Sequence, residues 1–277
     1  MINCNNHDIK GVHFNGHVIK KVYSCGGNLV YENETPPVPP TPSYSGNYFT
    51  VEPITLGSNA KIKFRAIDYS PYRTKVYYRF AGLEQWNLIN NYEQDDVIYA
   101  VYNVSSKNPI EFKCVPEQSS VECSYISLTN GTYKIYGNPM SLFEGDSFTS
   151  DTVSALVYNG MSEMFANEPV VDASGLYLPL KSMKDSCYAR MFRGCTLLEK
   201  SPTLPAETLD VACYSGMFSG CTSLNEITCL ATNISAASCT SNWVYNVAAN
   251  GTFKCKSTTN WTEGDSGIPS GWTRVNI

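Results

Sequence analysis

Apolar residues recur at a fixed spacing in the C-terminal part of the chain. The stretch CYARMFRGCTLL at 187–198 returns as CYSGMFSGCTSL at 213–224, an offset of 26 residues. A looser copy, GMSEMFANEP at 160–169, lies one unit upstream with a one-residue slip. Periods of about 20–29 residues with apolar positions at fixed offsets are typical of leucine-rich-type solenoids, in which successive units stack.

Each unit is predicted to pack a short helix (CYxxMFxGC) against a short strand (TSLNEITC), with a Leu-Pro segment as the return. The same offset relates Leu204 to Leu230. One unit cannot bury its apolar side alone, so about three or four units stack. The closing piece at 251–277 departs from the period, and with Trp261 and Trp272 it is predicted to cap the open end.

The predicted core of this segment follows from the 26-residue offset, which places apolar residues of one unit at the same positions as apolar residues of the next. It consists of Met191, Phe192, Met217 and Phe218, with Trp243 and Val244 at the equivalent positions of the next unit.

Eleven cysteines are an odd number, which argues against a fully paired disulfide framework. Cys187, Cys213 and Cys239 share one position of the repeat, and Cys195 and Cys221 share another. We expect them to be inward, reduced and packed as small apolar groups. Disulfides between neighbouring units are the alternative; a metal site is disfavoured because no C-x-x-C pair occurs.

Residues 1–33 are predicted to form a small β-unit. Alternating apolar residues flank Asn15-Gly16, a two-residue hairpin signal, and a second turn is expected at 26–28. Three or four short strands are too few for a self-sufficient core, so the unit needs copies of itself or a docking surface. The proline-rich segment 34–46 is predicted to be a semi-rigid linker.

Residues 47–145 are predicted to form an antiparallel β-domain. KIKFRA at 61–66 alternates basic and apolar residues, and IEFKC at 110–114 has the same period of two. Seven or eight strands with frequent turns favour a β-sandwich or jelly-roll. The predicted fold class is therefore multidomain and mainly β, with a leucine-rich-type (β/α) solenoid at 150–277.

The composition of the chain limits the classes of partner that we expect it to bind. Charged residues are 16% of the chain, the net charge is −5, and no Lys/Arg run occurs, so we expect no nucleic-acid partner. No stretch of about 18 apolar residues is present, so we expect no membrane insertion. The N-terminal sequence MINCNNHDIKGVHF has neither a basic nor an apolar signal region, so no export signal is expected.

Residues of the usual catalytic sets are sparse. All three histidines precede residue 18, which rules out a Ser/Cys–His nucleophilic site in the larger segments. His13 and His17 flank the first turn, where a metal pair is conceivable, but polar residues beside a turn are the preferred interpretation. We therefore predict no metal, no cofactor and no catalytic residue.

Paired carboxylates are a separate possibility, because glycoside hydrolysis needs no histidine. Asp95-Asp96 is the densest acidic spot, and Glu144 and Asp146 form a second one. Both are interpreted as solvated turns, so a carbohydrate-active enzyme is only the third class of function.

The predicted binding surface lies on the outward side of the repeat strands. The strand segments are placed at 198–202 and 224–228, and their outward residues are Glu199, Lys200, Asn225 and Glu226. These side chains are polar and mixed in sign, which suits a carbohydrate or a protein better than a polyanion.

The repeat motif resembles a known family. The pattern CYxxMFxGCTSL with LPAxTL, ending in GIPSGW, is similar to the BspA-like leucine-rich repeats of surface proteins from gut bacteria and their tailed phages, including crAss-like and related gut phages. NGHVIKKVYSCGGNLVYE resembles the short N-terminal β-units of tailed-phage virion proteins. The resemblance implies partner binding on a surface, without chemistry.

These observations predict a non-enzymatic phage virion protein, a head or tail fibre component that displays a receptor-binding surface. Residues 1–33 would contact other virion proteins or form a homo-oligomer, preferably a trimer as is common in the fibres it resembles. A host-surface glycan or protein would be the distal partner, and the location would be the virion surface. The alternative is a BspA-like adhesin on a bacterial cell surface.

Overall fold

The computed structural model describes residues 47–66, 75–90, 92–95, 97–115, 125–148, 160–180 and 183–277, with side chains for all of these except 92–95 and 97–99. Before residue 47 it describes only the backbone of four short strands. The chain divides into two compact units, Met1–Thr41 with Ile277 and Pro42–Asn276.

Strands are the main regular structure among the described residues. They are β1 (His13–Phe14), β2 (His17–Val18), β3 (Lys21–Tyr23), β4 (Leu29–Glu32), β5 (Phe49–Ala66), β6 (Lys75–Phe80), β7 (Asn87–Leu88), β8 (Tyr92–Asp95), β9 (Val97–Asn103), β10 (Ile110–Val115), β11 (Tyr125–Gly137), β12 (Val170–Leu176), β13 (Lys200–Leu204), β14 (Glu226–Cys229), β15 (Thr252–Cys255) and β16 (Thr273–Asn276). The described helical elements are α1 (Ser141–Glu144) and a 3-10 turn (Gly145–Ser147). The protein is thus mainly β, as predicted.

The first unit contains two strand pairs. Strands β1 and β2 are antiparallel with Phe14 opposite His17, and β3 and β4 are antiparallel with Val22 opposite Tyr31. The strand pairing predicted at both hairpins is confirmed. The turn residues 15–16 and 26–28, the side chains of His13 and His17, and the linker 34–46 lie outside the described residues.

The second unit contains one mixed sheet of 12 strands. Its centre is the long antiparallel pair of β5 and β11, whose register runs from Arg65 opposite Tyr125 to Thr50 opposite Tyr136. Antiparallel strands lie on the β5 side, and the parallel strands β12 to β16 follow in order on the β11 side.

The antiparallel part branches, because the two halves of β5 have different partners. The first half pairs with β10, with Val51 opposite Ile110, and the second half pairs with β9. The branches face each other across the core, where the Phe64 and Phe112 ring centroids are 4.8 Å apart. The strands therefore form one branched sheet, and the sandwich or jelly-roll assignment stays a prediction.

The sheet continues across the predicted boundary between 47–145 and 150–277. Strand β11 pairs in parallel with β12, with Tyr133 opposite Val170 and Gly137 opposite Leu176. Both segments belong to the compact unit Pro42–Asn276. The position of the repeats relative to β11 is therefore fixed by backbone hydrogen bonds.

The repeat segments stack on one another through backbone hydrogen bonds as well. The Tyr188, Arg190 and Phe192 N–H groups donate to the Cys213, Ser215 and Met217 carbonyl oxygens of the next unit. Every second residue thus donates 25 positions ahead. This pattern satisfies the buried backbone without an α-helix.

The helices predicted for the repeats are wrong, because the CYxxMFxGC segments are runs of turns. A left-handed φ recurs every fourth residue, which no α-helix tolerates. A segment of about ten residues is also below the 12–15 at which an isolated helix becomes stable. The residues with positive φ at this four-residue spacing are Glu163, Asn167, Ser186, Arg190, Gly194, Ala212, Gly216, Gly220, Ser238, Asn242 and Asn246.

Two departures from a strict period bear on the predicted offsets. The Phe165 N–H donates to the Met191 carbonyl and its ring stacks on Phe192, 27 positions later, which confirms the one-residue slip of the upstream copy. Leu204 pairs with Cys229, so the equivalence of Leu204 with Leu230 is wrong by one residue. The cause is an irregularity of β13 between Lys200 and Thr203, around Pro202, the kind of place at which sheets accept proline.

A column of six aromatic rings runs through the core of the unit. Neighbouring ring centroids are 5.4 to 6.3 Å apart. In order, its members are Phe49, Phe165, Phe192, Phe218, Trp243 and Trp261. We call this set the aromatic column.

The aromatic column joins the antiparallel part to the repeats, since Phe49 belongs to β5 and Trp261 follows β15. Trp272 closes the same end, with its indole N–H donating to the Ala248 carbonyl at 2.7 Å. The predicted core positions Met191, Phe192, Met217, Phe218, Trp243 and Val244 are confirmed as buried.

The repeat cysteines are buried too, as predicted. Cys187, Cys195, Cys213 and Cys221 have no exposed surface, and none of these four forms a disulfide. Burial raises the pKa of Cys187 to about 11 and that of Cys195 to about 12. These thiols stay protonated at neutral pH and are therefore poor nucleophiles.

The variant Phe218→Ala is expected to lower the free energy of unfolding by about 3–5 kcal/mol, because it leaves a gap in the aromatic column. Urea denaturation followed by circular dichroism measures it. Leu197→Ala, an apolar truncation at a side chain that is 42% exposed, is the control and should change stability by less than about 0.5 kcal/mol. Equal stabilities of Phe218→Ala and wild type would contradict the packing.

Gly137 lies at the end of β11, where β11 pairs with β5, and Gly82 lies in the turn between β6 and β7. The two glycines have similar backbone conformations, so Gly82 is a matched control for a substitution at Gly137. Their φ angles are +82° and +84°. A Cβ added at Gly137 would overlap the Tyr48 carbonyl oxygen, whereas a Cβ added at Gly82 would meet no heavy atom of the described residues within 4 Å. Gly82→Ala should cost about 1 kcal/mol of stability from the left-handed backbone. Gly137→Ala should cost about 1–3 kcal/mol more, the usual penalty of overpacking. Similar denaturation midpoints for the two variants would refute the close approach.

Candidate binding surface

The parallel strands present a polar face to solvent. In β14, Ile227 and Cys229 are buried while Glu226 and Thr228 are partly exposed, and β15 repeats this alternation. Because neighbouring strands are in register, the outward side chains of β12 to β15 lie in rows across the sheet. We call this surface the repeat face.

The four predicted residues come together on the repeat face. Glu199, Lys200 and Asn225 are exposed and Glu226 is half-buried. Lys200 lies directly opposite Glu226, and the Asn225 N–H donates to the Glu199 carbonyl at 3.3 Å. The strands begin two residues later than predicted, so Glu199 and Asn225 immediately precede them. That these residues bind a partner stays a prediction.

Two further charged residues complete the repeat face. Asp172 lies opposite Lys200 on its other side, and the Lys254 Nζ is 2.8 Å from a Glu226 carboxylate oxygen. Charges therefore alternate in sign across the strands. The sequence repeat could have predicted Lys254, which lies 26 residues after Thr228. It could not have predicted Asp172, which lies 28 residues before Lys200 and so outside the period.

The balance of charge on the repeat face affects which partner it suits. Exposed ion pairs such as the one between Lys254 and Glu226 contribute only about 0–1 kcal/mol to stability. Their groups remain available for hydrogen bonds to a partner at little cost to the fold. A surface of alternating sign offers donors and acceptors to a neutral ligand and has no field that favours a polyanion.

A second cluster lies on the outer side of β6 and β10. The Arg79 guanidinium is 4.9 Å from the Tyr48 ring and 4.5 Å from the Trp86 ring, and its Nε pairs with Glu111. The Lys113 Nζ is 4.5 Å from the Trp86 ring. Cation–π contacts of this kind contribute about 0.5–2 kcal/mol, so the cluster holds the β6–β7 turn against the sheet.

The same cluster accounts for Asp146, one of the candidate carboxylates. Asp146 accepts hydrogen bonds from Lys113 Nζ and Tyr48 Oη, both at 2.6 Å. Partial burial acts to raise the pKa of Asp146, but these two hydrogen bonds outweigh it and hold the pKa below its ordinary value.

Of the remaining candidate carboxylates, Glu144 is the one whose side chain the structure describes. Partial burial raises the pKa of Glu144, and Asp146 is held in the cluster of Lys113 and Tyr48. Asp95 is described by its backbone alone, and Asp96 lies outside the described residues. That the protein is not an enzyme stays a prediction.

Glu168 is a buried carboxylate at the joint between β11 and the repeats. It is 5% exposed and accepts hydrogen bonds from the Leu128 N–H and the Tyr125 hydroxyl. Burial raises its pKa, and the hydrogen bonds oppose burial without cancelling it. The side chain satisfies the backbone of β11 where the strand meets the loop that precedes β12.

Glu168 should make stability depend on pH. Because its folded pKa is raised, its contribution to stability is full below the unfolded pKa and is lost as pH rises through the folded value. Acidification from about pH 7 to about pH 4 should therefore favour the folded wild type relative to Glu168→Gln. Urea midpoints of both proteins at the two pH values measure this. Asp146→Asn is the control: the pKa of Asp146 is lowered, so its contribution is lost only below about pH 4, and this variant and wild type should respond nearly alike to the acidification. Parallel pH profiles of wild type and Glu168→Gln would contradict the assignment.

Two further findings concern the described residues only. No helix among them is long and apolar enough to cross a membrane. No three His, Cys, Asp or Glu side chains among them are grouped so that they could hold a metal ion.

Comparison with known proteins finds no family model, no curated protein and no solved structure that matches this chain.

Proposed function

We propose that the chain is a non-enzymatic structural protein of a phage virion, a projecting head or tail fibre component whose repeat face binds a host-surface glycan or protein. The observation that carries the proposal is the polar row across stacked parallel strands, from Asp172 through Lys200 to Glu226. In this proposal the repeats are a leucine-rich-type solenoid of the BspA-like kind, and the segment with Trp261 and Trp272 is its cap.

The division of the chain supports a tethered projection. Among its described residues, the unit Met1–Thr41 has two short strand pairs, and the proline-rich segment 34–46 comes after them in the chain. So small a unit needs partners for a stable core. It therefore serves for docking to other virion proteins or for homo-oligomerisation, preferably as a trimer, while the larger unit carries the binding surface.

The size of the repeat face sets the expected affinity. Four strands, β12 to β15, contribute to it, so each copy binds weakly. Many copies on one particle raise the effective concentration and compensate for weak single contacts. A bacterial cell-surface adhesin with the same repeats is the alternative, since it needs the same face and the same multivalency.

The binding experiment uses the full chain, fluorescently labelled, on a panel of intact bacterial strains. We expect Lys200→Ala with Asn225→Ala to weaken binding about tenfold, the loss of one or two net hydrogen bonds. The control is Lys184→Ala with Gln85→Ala, which removes one exposed lysine and one exposed amide away from the repeat face. Binding to every strain unchanged by the first pair would refute the role of the face.

Location is tested separately, by immunoelectron microscopy with antibodies raised against residues 150–277. Label on particles, at head or tail, supports the virion assignment. Label on bacterial envelopes with none on particles favours the adhesin instead.

A further inference from the structure

The antiparallel part of the larger unit contains a pocket far in sequence from the repeat face. It opens between β6, β7 and β9 and has a volume of about 530 Å³. This volume lies within the range of about 300–1,000 Å³ that small-molecule sites occupy. The residues that matter for its chemistry are Tyr78, Phe80, Asn90, Tyr102, Asn103 and Ser105.

Aromatic rings form one side of the pocket. The Tyr78 and Tyr102 ring centroids are 4.5 Å apart, and Tyr102 also contacts the buried Phe112 at 6.0 Å. Phe80 is half-buried against the same core. Packing on the core fixes these rings before any ligand arrives, which lowers the entropic cost of binding.

Polar side chains line the pocket as well. Asn90, Asn103 and Ser105 are exposed, and within the described part of the chain their side chains form no hydrogen bond. An amide offers donors and an acceptor, and a hydroxyl offers both. Burial raises the pKa of Tyr102 to about 12, so its phenol also stays protonated and can donate. The pocket thus combines rigid apolar surface with unused donors and acceptors.

The described lining favours some ligand classes over others. None of the described residues that line the pocket is charged. A phosphate or carboxylate ligand would lack a cation, and an ammonium ligand would lack a carboxylate. A ligand with several hydroxyls and one apolar face matches both the amides and the rings. A sugar ring has this combination, because its C–H groups lie on one face and its hydroxyls project from the edge.

We propose that this pocket binds an uncharged sugar residue of a glycan, with the apolar face of the sugar on Tyr78 and Tyr102 and its hydroxyls on Asn90 and Asn103. The inference does not rest on the function proposed for the repeat face, since the two surfaces share no residue.

The test is ligand-observed saturation-transfer NMR of the full chain with a panel of free neutral mono- and disaccharides, beside glucuronate, glucose 6-phosphate and choline. At least one neutral sugar should bind with a dissociation constant of about 1 mM, and the three charged compounds should not bind. Asn90→Ala with Asn103→Ala should weaken that binding about tenfold, because each net hydrogen bond is worth a few-fold in affinity.

Two controls separate the outcomes. Asn108→Ala removes an exposed amide of the β9–β10 turn that is not part of the pocket lining and should leave sugar binding unchanged. Lys200→Ala with Asn225→Ala should also leave sugar binding unchanged. The proposal for the pocket and the proposal for the repeat face are therefore tested independently. The inference would be overturned if no neutral sugar bound or if a charged compound bound better. It would also be overturned if Asn90→Ala with Asn103→Ala bound sugar as well as wild type does. Unchanged thermal melting of each variant shows that a loss reflects the site.

Discussion

The larger unit depends on stacking between units that cannot be stable alone. Each repeat is a run of turns whose N–H groups donate to the next unit, so an isolated repeat would leave these buried groups without partners. The aromatic column adds one ring per layer and runs from Phe49 to Trp261. A stacked array of this kind needs a closed end on both sides. The β5–β11 pair lies at one end of the repeats, and Trp261 and Trp272 are buried at the other.

Side-chain positions were predictable where the sequence repeats, and backbone conformation was not. The offset of 26 residues identified Phe192, Phe218 and Cys213 as buried, because equivalent layers bury equivalent side chains. It could not distinguish turns from a helix, since both place the same apolar residues inward. The left-handed φ at Ser186 and Arg190 carries no local signal, because neither residue favours that conformation. Glycine and asparagine at the fourth-residue spacing in the later units were the available clue.

The two candidate surfaces also differ in whether the sequence repeat could predict them. Lys200 and Glu226 follow from strand alternation within the repeat, so the sequence was sufficient to place them on one face. The pocket was missed because Tyr78 and Tyr102 belong to β6 and β9, which meet only after β5 divides its pairing between β10 and β9. Such long-range pairing leaves no periodic mark on the sequence. The same reason explains why the continuity of β11 with β12 was not foreseen.

This continuity has a consequence for recognition. The repeat face and the pocket belong to one compact unit whose strands share a sheet, so their separation and relative orientation are set by backbone hydrogen bonds. A rigid unit loses little conformational entropy on binding, but two small surfaces offer a partner little contact area. Under the proposed function, useful avidity must come from the number of copies that the first unit and its proline-rich segment hold together. Under the same proposal, the stacked fold would set the shape of the binding surface, and the number of copies joined by the first unit would set the strength of binding.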